Sequence, residues 1–256
     1  MQQDLFLGFY QTQMPFADLN GENVRVRGWR SSLAPGPRRY IINEALNNAH
    51  GLSRGRFDIY HPTHHRLVPF VSARRIVVTH HDCTQEKFPA DFRYHDRIMR
   101  AKKRLYARAD AIICISEASR RDLLHYYPVD PAKTRVVHHG LSRLARPQHA
   151  PAGLPERDFV LYVGWRAGYK NFHGLLHAFR DSGLYQSMDL VVLGGGPISL
   201  DDERLISDLG LSSAIVLIPR VNDALLAEAY ARARLLAYPS LFEGFGLPPL
   251  EAMYLG

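Results

Sequence analysis

The most informative segment of the chain reads Leu235-Leu-Ala-Tyr-Pro-Ser-Leu-Phe-Glu-Gly-Phe-Gly-Leu-Pro-Pro-Leu-Glu-Ala-Met-Tyr-Leu255. Its apolar start, Leu235–Tyr238, predicts a short buried strand that stops at Pro239. A loop rich in glycine follows, and Pro248 and Pro249 then open a helix, because proline suits the first helical turn. The segment therefore predicts a strand, a loop and a helix in succession, which is the unit that builds parallel α/β sheets.

The loop of this segment has the chemistry of a site for anions and sugars. Glycines let the backbone approach a ligand closely, and the amides of Phe245, Gly246 and Leu247 lie at the positive end of the predicted helix. Glu243 precedes the turn and Glu251 lies one turn inside the helix, so both carboxylates can face one ligand. Carboxylates accept hydrogen bonds from sugar hydroxyls. An ordinary turn with two solvated carboxylates does not explain the glycines and prolines around them.

Glu243 and Glu251, with seven residues between them in the setting Pro-Ser-Leu-Phe-Glu-Gly-Phe-Gly-Leu-Pro-Pro-Leu-Glu-Ala-Met, resemble the paired-glutamate motif of retaining GT-B glycosyltransferases. The likeness is greatest to family 4, the glycosyl transferases group 1, which contains mannosyl-, glucosyl- and N-acetylhexosaminyltransferases. The resemblance implies an α/β fold of two Rossmann-type parallel-sheet domains that face a cleft. The second domain is expected to be incomplete, and the chain looks truncated at both ends relative to such enzymes.

An alternation of predicted strands and helices supports this fold class outside the motif. Predicted strands are Leu5–Tyr10, Val24–Arg30, Phe57–His61, Arg75–Thr79, Ala109–Ser116, Arg135–His139, Phe159–Val163, Leu190–Leu193, Ile215–Ile218 and Leu235–Tyr238. Predicted helices are Arg39–Asn48, Phe92–Arg108, Ala118–Tyr126, Phe172–Arg180 and Asp223–Arg234. A stretch rich in proline separates two such series and predicts a domain over residues 1–143, a linker over 144–157 and a second domain over 158–256. The resemblance implies that the first is the acceptor-side domain and the second the donor-binding domain.

The composition is that of a globular protein with 46% hydrophobic and 22% charged residues. No apolar run approaches the roughly 20 residues of a membrane-spanning helix, and the first residues have no signal-peptide character. The two cysteines, Cys83 and Cys114, stand alone without metal-binding spacing. These observations predict a cytoplasmic protein, either free or at the inner face of the membrane.

The charge is unevenly distributed along the chain. Residues 1–150 carry 24 basic against 13 acidic side chains, a net charge of +11, whereas residues 151–256 carry a net charge of −4. The predicted helix Phe92–Arg108 concentrates cations, which favours peripheral contact with an anionic membrane or a phosphorylated acceptor. A solvated basic face over an ordinary core stripe is the alternative. Nucleic acid is disfavoured, because no stacking motif is interleaved with the cations.

Two further loops carry candidate donor-binding residues. Arg166 and Lys170 bring two cations to a strand–helix loop, where arginine can grip a diphosphate in bidentate fashion and lysine acts as a point charge. The resemblance implies that both bind the donor diphosphate, and that Gly195, in the turn Gly194–Gly196, lies near the nucleotide. Solvated surface cations and a plain strand–helix turn are the alternatives.

The pair His81-Asp82 ends a predicted strand and suits a metal site, a general base or a plain turn. Adjacent histidines point apart in an extended chain, so His80 and His81 are poorly placed to share one metal ion. The resemblance implies that His81 and Asp82 lie by the transferred sugar, and we take them with Glu243 as the catalytic residues. We expect no metal and no cofactor, because cations and a helix end can neutralise the leaving diphosphate.

The resemblance implies a retaining glycosyltransferase that moves a hexose from a nucleotide-diphosphate sugar to a glycan or lipid-linked acceptor in surface polysaccharide synthesis. Mannose from GDP-mannose is the first expectation, and another sugar from a UDP-sugar is the second. A non-catalytic nucleotide-sugar-binding module, or an inactive fragment of such an enzyme, is the alternative.

In the first half, Ser116 is predicted to cap the helix that follows it, with Ser119 as the competing cap.

Overall fold

The computed structural model of the chain describes residues 3–10, 24–30, 42, 45–46, 49, 56–62, 71–141, 153–166 and 168–255. The predicted helix Arg39–Asn48 and the predicted linker over 144–157 lie largely outside these residues. The chain divides into two compact units. The first holds the described residues within Met1–Thr79, Arg100–Ile113 and Val129–Thr134, and the second holds those within His80–Met99, Cys114–Pro128 and Arg135–Gly256.

Six strands form the first half of the described chain, in a pair and a four-stranded sheet. They are β1 (Gln3–Tyr10), β2 (Val24–Arg30), β3 (Arg56–Tyr60), β4 (Ser72–His80), β5 (Ala111–Cys114) and β6 (Thr134–Val136). Strands β1 and β2 pair in parallel, and the sheet has the order β3-β4-β5-β6, with β3 and β4 parallel. All six predicted strands of this half are present, although β5 and β6 are shorter than predicted.

Within the described stretch 71–141 the α-helices are α1 (Thr84–Lys87), α2 (His95–Arg108) and α3 (Glu117–Tyr126). Helix α2 begins three residues later than predicted, because a short 3₁₀ helix over Pro89–Asp91 precedes it. Its side chains at Lys102, Leu105 and Tyr106 are buried. Helix α3 begins after Ser116, whose hydroxyl oxygen accepts the amide of Ser119 and satisfies one of the open amides at the helix start. The predicted cap is therefore confirmed.

A second parallel sheet lies entirely in the second unit. Its strands are β7 (Phe159–Val163), β8 (Asp189–Leu193), β9 (Ile215–Ile218) and β10 (Leu235–Leu236), in the order β10-β7-β8-β9. Every pair is parallel. Strand β10 is half as long as predicted, although the amide of Ala237 still donates to the carbonyl of Leu161 at 2.8 Å. This sheet brings the carboxyl ends of four strands to one edge, where open α/β sheets bind ligands.

Four helices cover the two faces of this second sheet: α4 (Phe172–Asp181), α5 (Leu200–Asp208), α6 (Asp223–Arg232) and α7 (Leu247–Leu255). Alternate residues of β7 and β8 point to opposite faces. Val160, Tyr162, Leu190 and Val192 pack with α4 and α5, whereas Phe159, Leu161, Val191 and Leu193 pack with α6 and α7. Strands buried on both faces read as continuous apolar runs, which is why the sequence predicts β7 and β8 well.

Helix α5 is absent from the predicted elements and is the main difference in this unit. Its start carries a local signal, since the hydroxyl of Ser199 accepts the amide of Asp202, three residues later. Serine followed three residues later by an acidic residue is typical of a helix start. Ile206 buries the helix against the sheet core. In the described part of the chain, no helix combines the length and apolar character needed to cross a membrane.

Candidate active site

The paired-glutamate loop folds as its sequence predicts. Gly246 has a φ of 84°, a left-handed conformation that favours glycine, and it turns the chain into α7 directly before Leu247. Pro248 and Pro249 occupy the first turn of α7, where their missing amides leave no donor unpaired. Among the described residues, the amides of Phe245, Gly246 and Leu247 have no acceptor. These three donors lie at the positive end of a nine-residue helix.

Glu251 lies one turn inside α7, as predicted, and its carboxylate is held by a tyrosine. The hydroxyl of Tyr230 on α6 donates to Glu251 Oε2 at 2.8 Å. Burial, and then this contact with Glu251, raise the pKa of Tyr230 well above its ordinary value. Tyr230 therefore stays protonated at neutral pH and donates its proton to the carboxylate, which fixes the direction of the Glu251 side chain.

Lys170 and Glu243, two predicted site residues from separate loops, meet in the structure. Lys170 Nζ donates to Glu243 Oε1 at 2.5 Å, and the two side chains are only 17% and 23% exposed. The Lys170 ammonium also lies 5.3 Å from the ring of Tyr169 and 5.7 Å from that of Tyr238. Partly buried pairs with charge-assisted hydrogen bonds are stronger than exposed ones. A cation and a carboxylate thus form one compact polar centre.

The position of Lys170 is fixed by contacts of its own loop. A 3₁₀ helix over Gly168–Lys170 follows β7, and the amide of Tyr169 donates to the carboxylate of Asp91 at 3.1 Å. The carbonyl of Tyr169 accepts the amide of Leu241 at 2.8 Å. Asn171 adopts a left-handed φ of 55°, and its side-chain amide donates to the carbonyl of Pro239 at 3.3 Å. The lysine loop is therefore tied to the loop after β10 by its backbone.

Tyr238, the last residue before Pro239, adds a second neighbour for Glu243. Burial, followed by the charge of Glu243, raises the pKa of Tyr238 above its ordinary value. Tyr238 is therefore a protonated phenol close to the Glu243 carboxylate, whose direct partner is the Lys170 ammonium.

Arg166 has a different environment from Lys170, although the two are four residues apart. Its side chain is 7% exposed, and its guanidinium donates to Asp202 and to the carbonyls of Gly194, Gly196 and Pro197 at 2.7–3.3 Å. Burial alone would raise the pKa of Asp202. Hydrogen bonds from His173, Ser199 and Arg166 outweigh it, and the pKa lies below its ordinary value. Arg166 therefore stabilises the turn Gly194–Pro197 by donating to its carbonyls.

Gly195, in the same turn, lies where only glycine fits. Its φ is 73°, and a Cβ added there would lie 2.8 Å from the carbonyl oxygen of Gly164 and from a guanidinium nitrogen of Arg166. Real Cβ atoms do not approach backbone oxygens this closely. The turn packs its backbone directly on the end of β7, which leaves the predicted nucleotide-facing role of Gly195 a prediction.

The strand end His81-Asp82 lies beside the paired-glutamate loop. The ring of His81 stacks on that of His139 with centroids 5.8 Å apart, and His139 meets Phe245 edge-on at 5.4 Å. Asp82 Oδ1 accepts the amide of Thr84 at 2.9 Å. The structure thus brings His81, Asp82 and Glu243, the three residues predicted to be catalytic, into one neighbourhood of the second unit. No group of three or more metal-binding side chains occurs among the residues that the structure describes.

Several residues of this neighbourhood escaped the sequence analysis: Asp91, Tyr169, Asp202, Tyr230 and Tyr238. The tyrosines had a usable signal, because a tyrosine in an apolar strand or helix places a hydroxyl in the core and usually finds a polar partner there. Asp202 had the helix-start signal of α5. Asp91 had none, since nothing local in Pro89–Asp91 indicates a contact with Tyr169, which lies 78 positions later.

Comparison with known families agrees with the motif on which this site is built. The model for Glycosyltransferase Family 4 matches residues 9–143, which is more than half of the chain. The chain belongs to glycosyltransferase family 4. The model for Glycosyl transferases group 1 matches residues 146–256, the part that contains Lys170 and the paired glutamates.

Individual relatives are similar at a lower level. The O-antigen chain mannosyltransferase B of Escherichia coli is 29% identical over 196 residues, which cover 71% of this family 4 chain and 51% of that relative. The chain thus spans about half the length of this curated relative. Sucrose-phosphate synthase from Thermosynechococcus elongatus superposes with a TM-score of 0.72 at 21% identity, covering 99% of this chain and 69% of that one.

A second solved structure, Anabaena Alr3699/HepE in complex with UDP and glucose, gives a TM-score of 0.70 at 17% identity. This likeness covers 100% of the family 4 chain and 79% of the Anabaena chain. At such identities the likeness concerns the fold alone. It confirms the predicted α/β class with two parallel sheets, the GT-B class.

Proposed function

We propose that this family 4 chain is a retaining glycosyltransferase that moves a hexose from a nucleotide-diphosphate sugar to a glycan or lipid-linked acceptor in surface polysaccharide synthesis. The observation that carries the proposal is the Lys170–Glu243 contact at 2.5 Å. It joins a cation for phosphate to a carboxylate for sugar hydroxyls, beside the amides that precede α7. A turn with two merely solvated carboxylates would not bury this pair.

The donor-binding groups of the lysine loop and of the start of α7 each have a proposed part. Lys170 neutralises the leaving diphosphate, whose oxygens take over the place that the Glu243 carboxylate holds in the free chain. The amides of Phe245, Gly246 and Leu247 donate to phosphate or sugar oxygens at the helix end. Glu251, oriented by Tyr230, accepts the ribose hydroxyls of the nucleotide.

The reacting sugar is proposed to lie among His81, Asp82 and Glu243. Glu243, once released from Lys170 by the diphosphate, accepts hydrogen bonds from hydroxyls of the sugar, and His81 lies next to the same loop through His139 and Phe245. A front-face transfer guided by the leaving phosphate needs no protein nucleophile. It needs no metal or cofactor either, because a lysine and a helix end supply positive charge at the leaving group.

Mannose from GDP-mannose is the proposed sugar, and the name of the Escherichia coli relative supports it. The Anabaena structure contains UDP and glucose, so a UDP-hexose is the second candidate. The proline-rich stretch 144–157 supports a boundary between an acceptor-side domain over 1–143 and a donor-binding domain over 158–256. A nucleotide-sugar-binding module without transferase activity is the alternative function.

A thermal-shift titration with GDP, UDP and ADP tests donor binding. We expect the unfolding temperature to rise selectively with one nucleotide, which names the base. Lys170→Ala and Glu251→Ala should lower the affinity for that nucleotide about 10- to 100-fold. Each removes a hydrogen bond that involves a charged group, which contributes about 1.5–3 kcal/mol. The exposed residues Arg204 and Glu203, changed to alanine, are matched controls that should bind as the parent does.

A folded parent that responds to none of the three nucleotides would contradict the proposal. Binding without transfer, when the matching nucleotide sugar is supplied with lipid and glycan extracts, would favour the binding-module alternative. Where transfer occurs, the anomeric configuration of the product, measured by NMR, tests the retaining course.

The acceptor side is proposed to include the exposed face of α2, at a peripheral cytoplasmic position on the membrane. Six cations lie on this face or just before it: Arg93, Arg97, Arg100, Lys103, Arg104 and Arg108. No carboxylate of the described residues forms an ion pair with any of them. The apolar side of α2 is buried at Leu105 and Tyr106. A contact through this helix is therefore electrostatic, with no inserted apolar face.

Co-sedimentation with vesicles containing anionic lipid tests this surface. Glutamine at Arg100, Lys103 and Arg104 should abolish binding, since each cation near the surface contributes about 1 kcal/mol. Glutamine at the exposed cations Arg121, Arg204 and Arg220 is the matched control and should leave binding intact. Equal loss with both triple variants would show that only net charge matters, and unchanged binding of the first would reject the surface.

A further inference from the structure

Two serines at the start of α3 contact the backbone on both sides of the proposed sugar site. The hydroxyl of Ser116 lies 2.8 Å from the carbonyl oxygen of Gly244, and the hydroxyl of Ser119 lies 2.8 Å from the carbonyl oxygen of His81. Ser119 is 1% exposed. Gly244 follows Glu243 directly, and His81 is itself a proposed catalytic residue, so each serine holds the backbone at or next to a proposed catalytic residue.

The hydrogen-bond inventory of the two serines is complete in one arrangement only. Each hydroxyl has a single proton to donate. Ser116 accepts the amide of Ser119 as the helix cap and donates to Gly244, while Ser119 donates to His81. The other close pairs, between the two hydroxyls at 3.0 Å and between Ser119 and Gly244 at 3.2 Å, would each use a serine proton that one of the two carbonyls receives in this arrangement. In Ser116, the hydroxyl oxygen therefore caps the helix and the hydroxyl proton bonds to the loop at Gly244.

Gly244 is a glycine because the two backbones touch. A Cβ added there would lie 2.5 Å from the carbonyl oxygen of His81 and 3.0 Å from the Cβ of Asp82. The obstacle is backbone, which cannot turn away as the end of a long side chain can. The distance between the Glu243 loop and the strand end His81-Asp82 is consequently set by direct backbone contact, with the two serines fastening it.

We propose that Ser116 and Ser119 are positioning residues, which fix the spacing between Glu243 and His81-Asp82 and so support sugar transfer without binding the nucleotide. This inference rests on the proposed function for its effect on turnover. It assigns the serines no contact with substrate. Misplacement of reacting groups by about 1 Å lowers a rate about 100-fold, so loosening this contact should lower kcat and leave nucleotide affinity unchanged.

Ser116→Asp separates the two duties of Ser116. Aspartate is a good helix cap, but its carboxylate has no proton to donate to the carbonyl of Gly244. We expect an unfolding temperature close to that of the parent, a nucleotide Kd within twofold, and a kcat lowered about 10- to 100-fold. Ser116→Thr keeps both the acceptor and the proton and should recover most of the turnover. Ser187→Ala, which removes an exposed hydroxyl that donates to a carbonyl elsewhere, is the control.

Hydrogen exchange of residues 240–247 gives a readout that does not depend on activity. Ser116→Asp and Gly244→Ala should both speed exchange there, while exchange in β7 and β8 stays as in the parent. Unchanged exchange and unchanged kcat in Ser116→Asp would overturn the inference. A parent that binds no nucleotide and transfers no sugar would instead overturn the proposed function, and faster exchange in the variant would then still establish the contact as a structural one.

Discussion

The two glycine-rich loops of the second sheet differ in the backbone groups that they present: one presents carbonyls and the other presents amides. The loop after β8, Gly194–Pro197, directs its carbonyls at the guanidinium of Arg166. The loop before α7, Glu243–Leu247, leaves its amides without an acceptor among the described residues and lies next to Lys170. The carbonyls of the first loop are satisfied by a buried cation, whereas the second loop keeps amide donors available and pairs its carboxylate with Lys170.

The difference matches the chemistry of the two cations that one loop supplies, Arg166 and Lys170. Arginine offers five donors in a fixed fork, which suits several carbonyls and one carboxylate at once, and its charge persists in a buried site. Lysine is a flexible point charge that can exchange one anion for another. Arg166 therefore fits a supporting role for the turn Gly194–Pro197, and Lys170 fits the proposed role of a partner for the donor diphosphate.

Arg166→Met is the change with the largest expected effect. It leaves the Asp202 carboxylate, 8% exposed, without its guanidinium. Removal of one partner from a buried ion pair costs about 3–5 kcal/mol of the free energy of unfolding. For a chain of this size, that loss corresponds to a fall of about 10 °C in unfolding temperature. Urea unfolding of the parent and the variant measures it.

Asp202→Asn in the Arg166→Met background sharpens this test. The second change removes the carboxylate charge that has lost its guanidinium and keeps only His173 and Ser199 as partners, so the double variant should be less destabilised than the sum of the two single variants. Arg204→Met, at an exposed position on α5, is the control. An Arg166→Met variant as stable as the parent, but with nucleotide affinity lowered tenfold or more, would show that Arg166 binds the diphosphate directly, as the family resemblance implies.

Alanine at Gly195 and at Gly246 compares the two loops position by position. Both glycines have left-handed φ values, 73° and 84°, at which alanine costs about 1–2 kcal/mol. Only Gly195 also meets backbone, at 2.8 Å from the Gly164 oxygen, whereas the nearest atom to a Cβ at Gly246 is 3.9 Å away on Tyr238. Overlap of this kind adds about 1–3 kcal/mol. Urea unfolding should therefore show Gly195→Ala as the more destabilised variant.

The variants Gly195→Ala and Gly246→Ala should rank in the opposite order for loss of nucleotide affinity. A methyl group at Gly246 lies in the amide-lined turn before α7 and should weaken the nucleotide in the thermal-shift titration more than Gly195→Ala does, once both variants are compared well below their unfolding temperatures. Equal losses of stability, or equal losses of affinity, would mean that the two loops do not differ in the way described.

The sequence predicts the local parts of this picture well. The turn at Gly246, the helix over Leu247–Leu255 and the fully buried strands β7 and β8 follow from glycine, proline and apolar runs, whose effects act over a few residues. The pairing of Lys170 with Glu243 spans 73 positions. The motif resemblance suggested one ligand for both residues, but residue spacing alone could not have predicted a direct contact.

The environment of Arg166 could not be predicted, for a specific reason. Its partner Asp202 lies on α5, the helix that is missing from the predicted elements, so both cations of the loop looked equally available to a ligand. The contact of Gly244 with His81 was equally hidden, because a glycine that is needed for close packing across 163 positions looks the same as one that is needed for a turn. Long-range packing decides both cases.

A fall in pH has the smallest expected effect of these changes, and it should affect only one of the two glycine-rich loops. Partial desolvation of the ring, and then the neighbouring His81, lower the pKa of His139 below 6.5. The unfolded chain therefore binds this proton more readily than the folded one. The stabilising contribution of neutral His139 is complete above about pH 6.5 and is lost as pH falls toward its folded pKa. His139 contacts Phe245, so protection of residues 243–247 from hydrogen exchange should fall in that window.

Protection of the loop after β8 should not change over the same window. Arg166 stays charged at every pH in question, and the lowered pKa of Asp202 keeps its stabilising contribution intact until pH falls below about 3.8, the ordinary value of an aspartate. His139→Gln removes the titrating ring and should abolish the pH dependence at residues 243–247. A parallel loss of protection in both loops near pH 6 would show that Gly194–Pro197 and Glu243–Leu247 respond to acid together. Arg166 would then give the first loop no separate stability.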